Sequence, residues 1–164
     1  MSEPAEKQAF ATPIDQRYFE DYIPGTTYEF GSASLTEAQI IEFAKEYDPQ
    51  SFHVDPAAAA NGPFAGLIAS GWQTSALMMR LFAQYYLSSV ASLGGPGVDE
   101  LRWLRPVRSD DRLRLRVTVV DTKVSNSKPD RGLVRTLAEL IDDADRPVFK
   151  ATILNFLLLR EREA

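Results

Sequence analysis

The chain contains no cysteine and only one histidine, His53. The first absence excludes disulfides, thiolate nucleophiles and cysteine-based metal sites. The second leaves zinc almost without its usual ligands, so no metal is expected. An excess of positive charge is missing too. The net charge is −5, and the chain lacks the basic surface that binding to nucleic acid needs. There is no long hydrophobic run either. The longest charge-free stretch, Pro56 to Met79, is broken by Asn61, Pro63 and glycines, so no membrane span is expected. Residues 1–16 carry Glu3, Glu6 and Lys7 and lack the basic start and apolar core of a signal peptide. Without disulfides, these features suit a cytoplasmic protein.

What is present is enough for one ordinary core. The hydrophobic share of 45% and charged share of 25% are those of a globular domain. No repeat or linker divides the chain. Residues 1–17 are expected to form a loosely held arm, and residues 18–164 a single domain.

Local signals place the elements. Thr26 to Ser32 follows the Pro24-Gly25 turn as a short strand. Thr36 with Gln39 matches a capping box, and Leu35 with Ile40 a hydrophobic staple. Ile40, Phe43, Ala44 and Tyr47 form one apolar helical face. Pro49 disfavours helical geometry at Asp48 and ends that helix. Asp55-Pro56 starts a short helix that Asn61-Gly62 closes. His53 is thus expected in a loop pinned between two helices. Ser70-Gly71 opens the longest helix, read as Trp72 to Val90. It is apolar on nearly every face and is expected to be surrounded by protein. Four strands follow: Val98 to Leu104, Arg112 to Val120, Leu133 to Asp142 and Val148 to Leu159. Together they suggest an antiparallel sheet wrapped around the helix, an α+β arrangement.

The residues that can do chemistry near neutral pH are Asp48 and His53. A histidine can both take and give a proton, and a carboxylate across a bend can share a water with it. A hydrogen-bonded histidine that merely closes a loop is the structural alternative.

This pattern resembles the hot-dog fold and, within it, the MaoC-like or (R)-specific enoyl-CoA hydratase family, over roughly residues 18–160. The stretch Asp48-Pro49-Gln50-Ser51-Phe52-His53 is similar to the family's hydratase motif and keeps its Asp-to-His spacing. Gln50, Ser51 and Phe52 depart from the family's Asn, Pro and aliphatic residue. Gly66-Leu67-Ile68-Ala69-Ser70-Gly71 resembles the turn before the family's central helix, with Ser70 where His is common. Pro106-Val107-Arg108-Ser109-Asp110-Asp111 is similar to another family turn. The resemblance implies reversible hydration of a trans-2-enoyl-CoA to an (R)-3-hydroxyacyl-CoA, with Asp48 and His53 holding the water. It also implies Gly71 as a backbone donor to the thioester oxygen, and Gln50, Phe52, Ser70 and Gly66 lining or supporting the substrate pocket. No metal or redox cofactor is implied; coenzyme A, or an acyl carrier, enters as part of the thioester substrate. A homodimer or dimer of dimers is expected, because a lone hot-dog subunit leaves a strand edge open.

Other readings have specific features to weigh. Asp48, His53 and Ser70 could form a hydrolytic triad, but Ile68 denies Ser70 the usual Gly-x-Ser-x-Gly elbow. An acyl-CoA thioesterase of the same fold often carries a carboxylate on the central helix; residues 72–90 have none. A non-catalytic acyl-thioester-binding protein is the third reading. Arg102, Arg105 and Arg108 are candidate phosphate contacts. The Arg112, Arg114 and Arg116 stripe could also bind the phosphates of coenzyme A, but is favoured as a solvated strand face, paired with groups such as Glu139.

Overall fold

The computed structural model describes residues 9–161. In chain order the elements are β1 (Thr27–Ala33), α1 (Glu37–Tyr47), α2 (Ser51–Val54), α3 (Pro56–Ala60), α4 (Gly71–Leu81), β2 (Gly97–Trp103), β3 (Leu113–Val124), β4 (Arg131–Ile141) and β5 (Pro147–Leu158). The strands form one sheet in the order β1-β3-β4-β5-β2. Every neighbouring pair is antiparallel.

Alternation decides which face of the sheet is covered. Leu113, Leu115, Val117 and Val119 of β3 are fully buried, as are Ala138 and Leu140 of β4 and Phe149 and Leu157 of β5. Against this face α4 lays Leu77, Met78 and Leu81, all in the same apolar cluster. The outer face carries paired charges. Arg116 meets Glu139 at 2.9 Å, and Arg114 meets Glu29 and Asp145. Two of the three arginines in the stripe are therefore engaged by acids across the sheet.

Three sequence expectations change. The central helix, read as 72–90, is α-helical only to Leu81 and widens into a π turn at Phe82–Tyr86. Distant residues meet the end of the π turn: the Arg17 guanidinium donates to the carbonyls of Tyr85 and Tyr86, and the Tyr22 hydroxyl also donates to Tyr86. These contacts satisfy acceptors that a helix end leaves open. Nor is the helix enclosed on every side, since Trp72 is 59% exposed and Met79 40%. An apolar sequence all round does not bury every face within one chain. The arm expected to be loose is held at Phe10 and Arg17, while residues 9, 11, 13, 15 and 16 are exposed. Arg17 is buried, its guanidinium lies 3.7 Å from the Phe10 ring centroid, and Phe10 stacks on Tyr28. Residues 1–8 of that arm lie outside the described residues.

Candidate active site

Each functional side chain is set by a local rule. The Thr36–Gln39 capping box starts α1, with both reciprocal bonds formed. Pro49 forces Asp48 out of helical geometry, and Asp48 takes φ −155° as the C-cap. The chain then turns, and residues 51–54 form α2. His53 thus sits within a short helical turn rather than in the loop expected. Asp55 caps the next turn by accepting from Ala57 N and Ala58 N at 3.0 and 3.1 Å. The segment carrying His53 is held on both sides.

His53 is buried and has two partners. Its Nδ1 lies 2.7 Å from the Ile68 carbonyl oxygen. A carbonyl can only accept, so Nδ1 carries a proton, and in the neutral ring Nε2 presents a lone pair. That Nε2 stands 3.2 Å from Oδ2 of Asp48. The sequence pointed to Asp48 and His53 by spacing; the Ile68 carbonyl, which orients the ring, could not be read there because a backbone contact has no residue signature.

Asp48 is held by two donors. Ser70 Oγ donates to Oδ2 at 2.7 Å and Gln50 Nε2 to Oδ1 at 2.7 Å. Burial works against ionisation of the carboxyl, but the bonds from Ser70 and Gln50 and the nearby His53 outweigh it. The pKa of Asp48 is lowered from its ordinary value. Ser70 is fully buried and also accepts from Trp72 N at 3.3 Å, so it caps α4. A Ser-His-Asp triad needs the imidazole between serine and carboxylate. Here the carboxylate lies between serine and imidazole, which removes the triad reading.

A cavity of about 310 Å³ opens beside His53. Its lining includes His53, Phe64 and Ile68, Gly71 and Thr74 of α4, and Trp103, Arg105 and Val107. Of the residues expected at the site, His53 and Gly71 line this cavity. Asp48, Gln50, Phe52, Ser70 and Gly66 are not among its lining residues. The Phe52 ring meets His53 edge-on at 4.5 Å and Phe64 at 5.2 Å. Gly66 adopts φ +145°, open mainly to glycine, with Arg108 next to it. Arg108 donates to the carbonyls of Phe64 and Leu67, so it fastens this turn. Arg105 is at the cavity wall with a half-exposed side chain. Arg102 lies on the outer strand and donates to its neighbour's carbonyl. Trp103 was legible only as a strand residue; its place in the cavity depends on strand register.

What the arrangement offers is an imidazole and a helix N-terminus lining one cavity, with a carboxylate next to the imidazole. The first N–H groups of an α-helix lack carbonyl partners within it and carry partial positive charge. Ser70 occupies Trp72 N–H, and Gly71 lines the cavity.

A 3-hydroxyacyl-thioester dehydratase Z from Mycobacterium tuberculosis is 29% identical over 126 residues, covering 76% of this chain and 83% of that protein. Protein YdeM of Bacillus subtilis, itself uncharacterised, is 28% identical over 134 residues, 82% of this chain and 94% of its own. The crystal structure of a MaoC-like dehydratase from Rhodospirillum rubrum superposes with a TM-score of 0.81 at 33% identity, covering 89% of this chain and 99% of that one. The five-stranded sheet around α4 is therefore a hot-dog fold. Residues 20–140 match the family described as the MaoC like domain, and to that family the chain belongs.

Proposed function

We propose that the protein catalyses the reversible hydration of a trans-2-enoyl thioester to an (R)-3-hydroxyacyl thioester. The observation that carries this reading is the His53 Nε2–Asp48 Oδ2 approach of 3.2 Å, with His53 and Gly71 both lining one cavity and Asp48 next to His53. The Ile68 carbonyl fixes the ring so that Nε2 faces the carboxylate, where the two groups can share a proton.

The steps follow from the chemistry of the groups. A water held by the pair attacks C3, and its proton passes to the pair. The electrons of the C2=C3 bond move towards the thioester oxygen, where the Gly71 N–H and the α4 N-terminus meet the growing negative charge. The pair then returns a proton to C2. The net change is addition of H and OH across the double bond, and the pair ends as it began. General acid–base help of this kind is worth about 10²–10⁴-fold. The step balances without metal or redox chemistry. Coenzyme A or an acyl carrier is the thioester's other half. The relative named as a 3-hydroxyacyl-thioester dehydratase supports this substrate class.

Two further points belong to the same reading. Among the described residues α4 brings only Gly71 and Thr74 to the cavity and no carboxylate, which favours hydration over thioester hydrolysis. The open edge of β2 and the exposed apolar side chains of Trp72, Met79 and Val98 suit pairing between two copies of the chain.

The test is incubation with crotonyl-CoA. Hydration removes the absorbance of the conjugated thioester and leaves no free thiol. Release of thiol would instead point to a thioesterase, and tight binding without turnover to an acyl-thioester-binding protein.

A further inference from the structure

Trp103 lies directly on Gly71. A β-carbon built on Gly71 would come within 2.5 Å of Cδ2 and Cε2 of the Trp103 indole. The ring is fixed there by polar contacts. Its Nε1–H donates to Ser75 Oγ at 3.2 Å, and Ser75 Oγ donates in turn to the Gly71 carbonyl at 2.9 Å. The Trp72 ring meets it edge-on at 5.1 Å. Trp103 also lines the cavity that holds His53.

An irregularity in β2 puts it there. Val98 pairs with Ile153 and Asp99 with Thr152, but the register then slips, so that Arg102 pairs with Lys150 and Trp103 with Phe149. The extra residue is accommodated near Glu100, which takes φ +52°. Directly paired residues of an antiparallel ladder share a face. Phe149 is fully buried, so Trp103 is on the helix side. In unbroken register Trp103 would oppose Val148 and point to the other face. Bulges commonly re-aim a side chain in this way beside a functional site. A non-glycine residue with positive φ is held only where its surroundings require it.

We propose that Trp103 is a specificity-determining residue that excludes substituents at C2 of the acyl group. This rests on the hydration reading, in which Gly71 N–H receives the thioester oxygen. C2 and the sulfur are both bonded to that carbonyl carbon; with C2 turned towards the ring, an acyl group seated at Gly71 has C2 beside the indole. A C2-unsubstituted enoyl group fits against the flat ring. A methyl branch at C2 meets it.

The test compares kcat/KM for crotonyl-CoA and for its C2-methyl analogue, tiglyl-CoA, in the wild type, Trp103→Ala and Trp103→Leu. One methyl group in an apolar pocket is discriminated by roughly tenfold or more. Either variant that folds is expected to raise the tiglyl-to-crotonyl ratio by at least about tenfold. An unchanged ratio overturns the assignment. So does a change confined to longer straight chains, because it would place the indole at the far end of the acyl group. A binding measurement needs neither turnover nor a variant at 103. In a Trp72→Phe protein, indole emission reports Trp103 while butyryl-CoA or 2-methylbutyryl-CoA is titrated. Weaker binding of the branched thioester by about tenfold is expected; equal affinities contradict the proposal. If the C2 preference in binding is found but no enoyl-CoA is hydrated, the hydration reading fails and the role of Trp103 in recognition stands. If neither thioester binds, both fail.

Discussion

Ser70 Oγ donates at 2.7 Å to the same carboxylate oxygen, Oδ2 of Asp48, that faces His53. Ser70 is fully buried and also caps the central helix. One hydroxyl therefore joins the helix N-terminus to the carboxylate of the proton-handling pair. With Gln50 on the other oxygen, it holds Asp48 ionised across the neutral range. His53 then has a fixed negative neighbour, and the pair has a defined direction in which to receive a proton.

Ser70→Ala removes the strongest of the interactions that lower the Asp48 pKa. Asp48 in the variant should protonate at higher pH, so the acid limb of the kcat/KM profile should move upward. Stability follows the same linkage. A carboxyl depressed in the folded state contributes stability above its unfolded value, near 3.8, and loses it as pH falls through the folded value. Denaturant titrations below about pH 4 should therefore show a shallower acid loss for Asp48→Asn than for the wild type. Loss of the cap should separately cost Ser70→Ala about 1 kcal/mol at neutral pH. An acid limb that stays in place would show that Ser70 caps the helix and does nothing to the carboxylate.

Gly71→Ala should displace the Trp103 ring, because the added carbon would fall within 2.5 Å of it. Trp103 is about half exposed, so it can move outward without disturbing the sheet. Alanine favours helix over glycine by about 1 kcal/mol, so the melting temperature should hold. In the Trp72→Phe background, indole emission should shift and kcat should fall together with kcat/KM, the pattern of an interaction made in the transition state. Unaltered emission would contradict the placement of the indole.

Assembly is open to a direct check. The outer edge of β2 and the exposed Trp72 and Met79 should be covered by a second copy. Light scattering is expected to give an even-numbered oligomer at working concentration, and Met79→Glu should weaken it by placing charge on the shared face. A fully active monomer would contradict the pairing.

The elements of the site were legible where local chemistry decides them. Thr36 with Gln39, Pro49 after Asp48, and Asp55 before Pro56 each fix a helix end within a few residues, and all three hold. The sheet was legible because Leu113 to Val119 alternate strictly. What failed depends on distant partners. The end of the helical segment after Tyr86 involves Arg17, more than sixty positions earlier. The helix at His53 is a single turn with no periodicity to detect. Trp103 reaches the cavity through a slipped register near Glu100, and nothing in the alternation of 97–103 announces it. The exposed face of α4 misled for a related reason: an apolar sequence does not tell which faces of a helix its own chain covers.

The most direct measurement of the proposed chemistry is the rate of crotonyl-CoA hydration by the wild type, Asp48→Asn and His53→Ala, with circular dichroism to verify the fold of each. Both substitutions remove one half of the pair that meets at 3.2 Å. Each should lower kcat/KM by about 10²-fold or more while the spectrum and melting curve remain those of the folded protein. A folded His53→Ala or Asp48→Asn variant that hydrates crotonyl-CoA at nearly the wild-type rate would contradict the assignment of this pair as the proton-transfer centre.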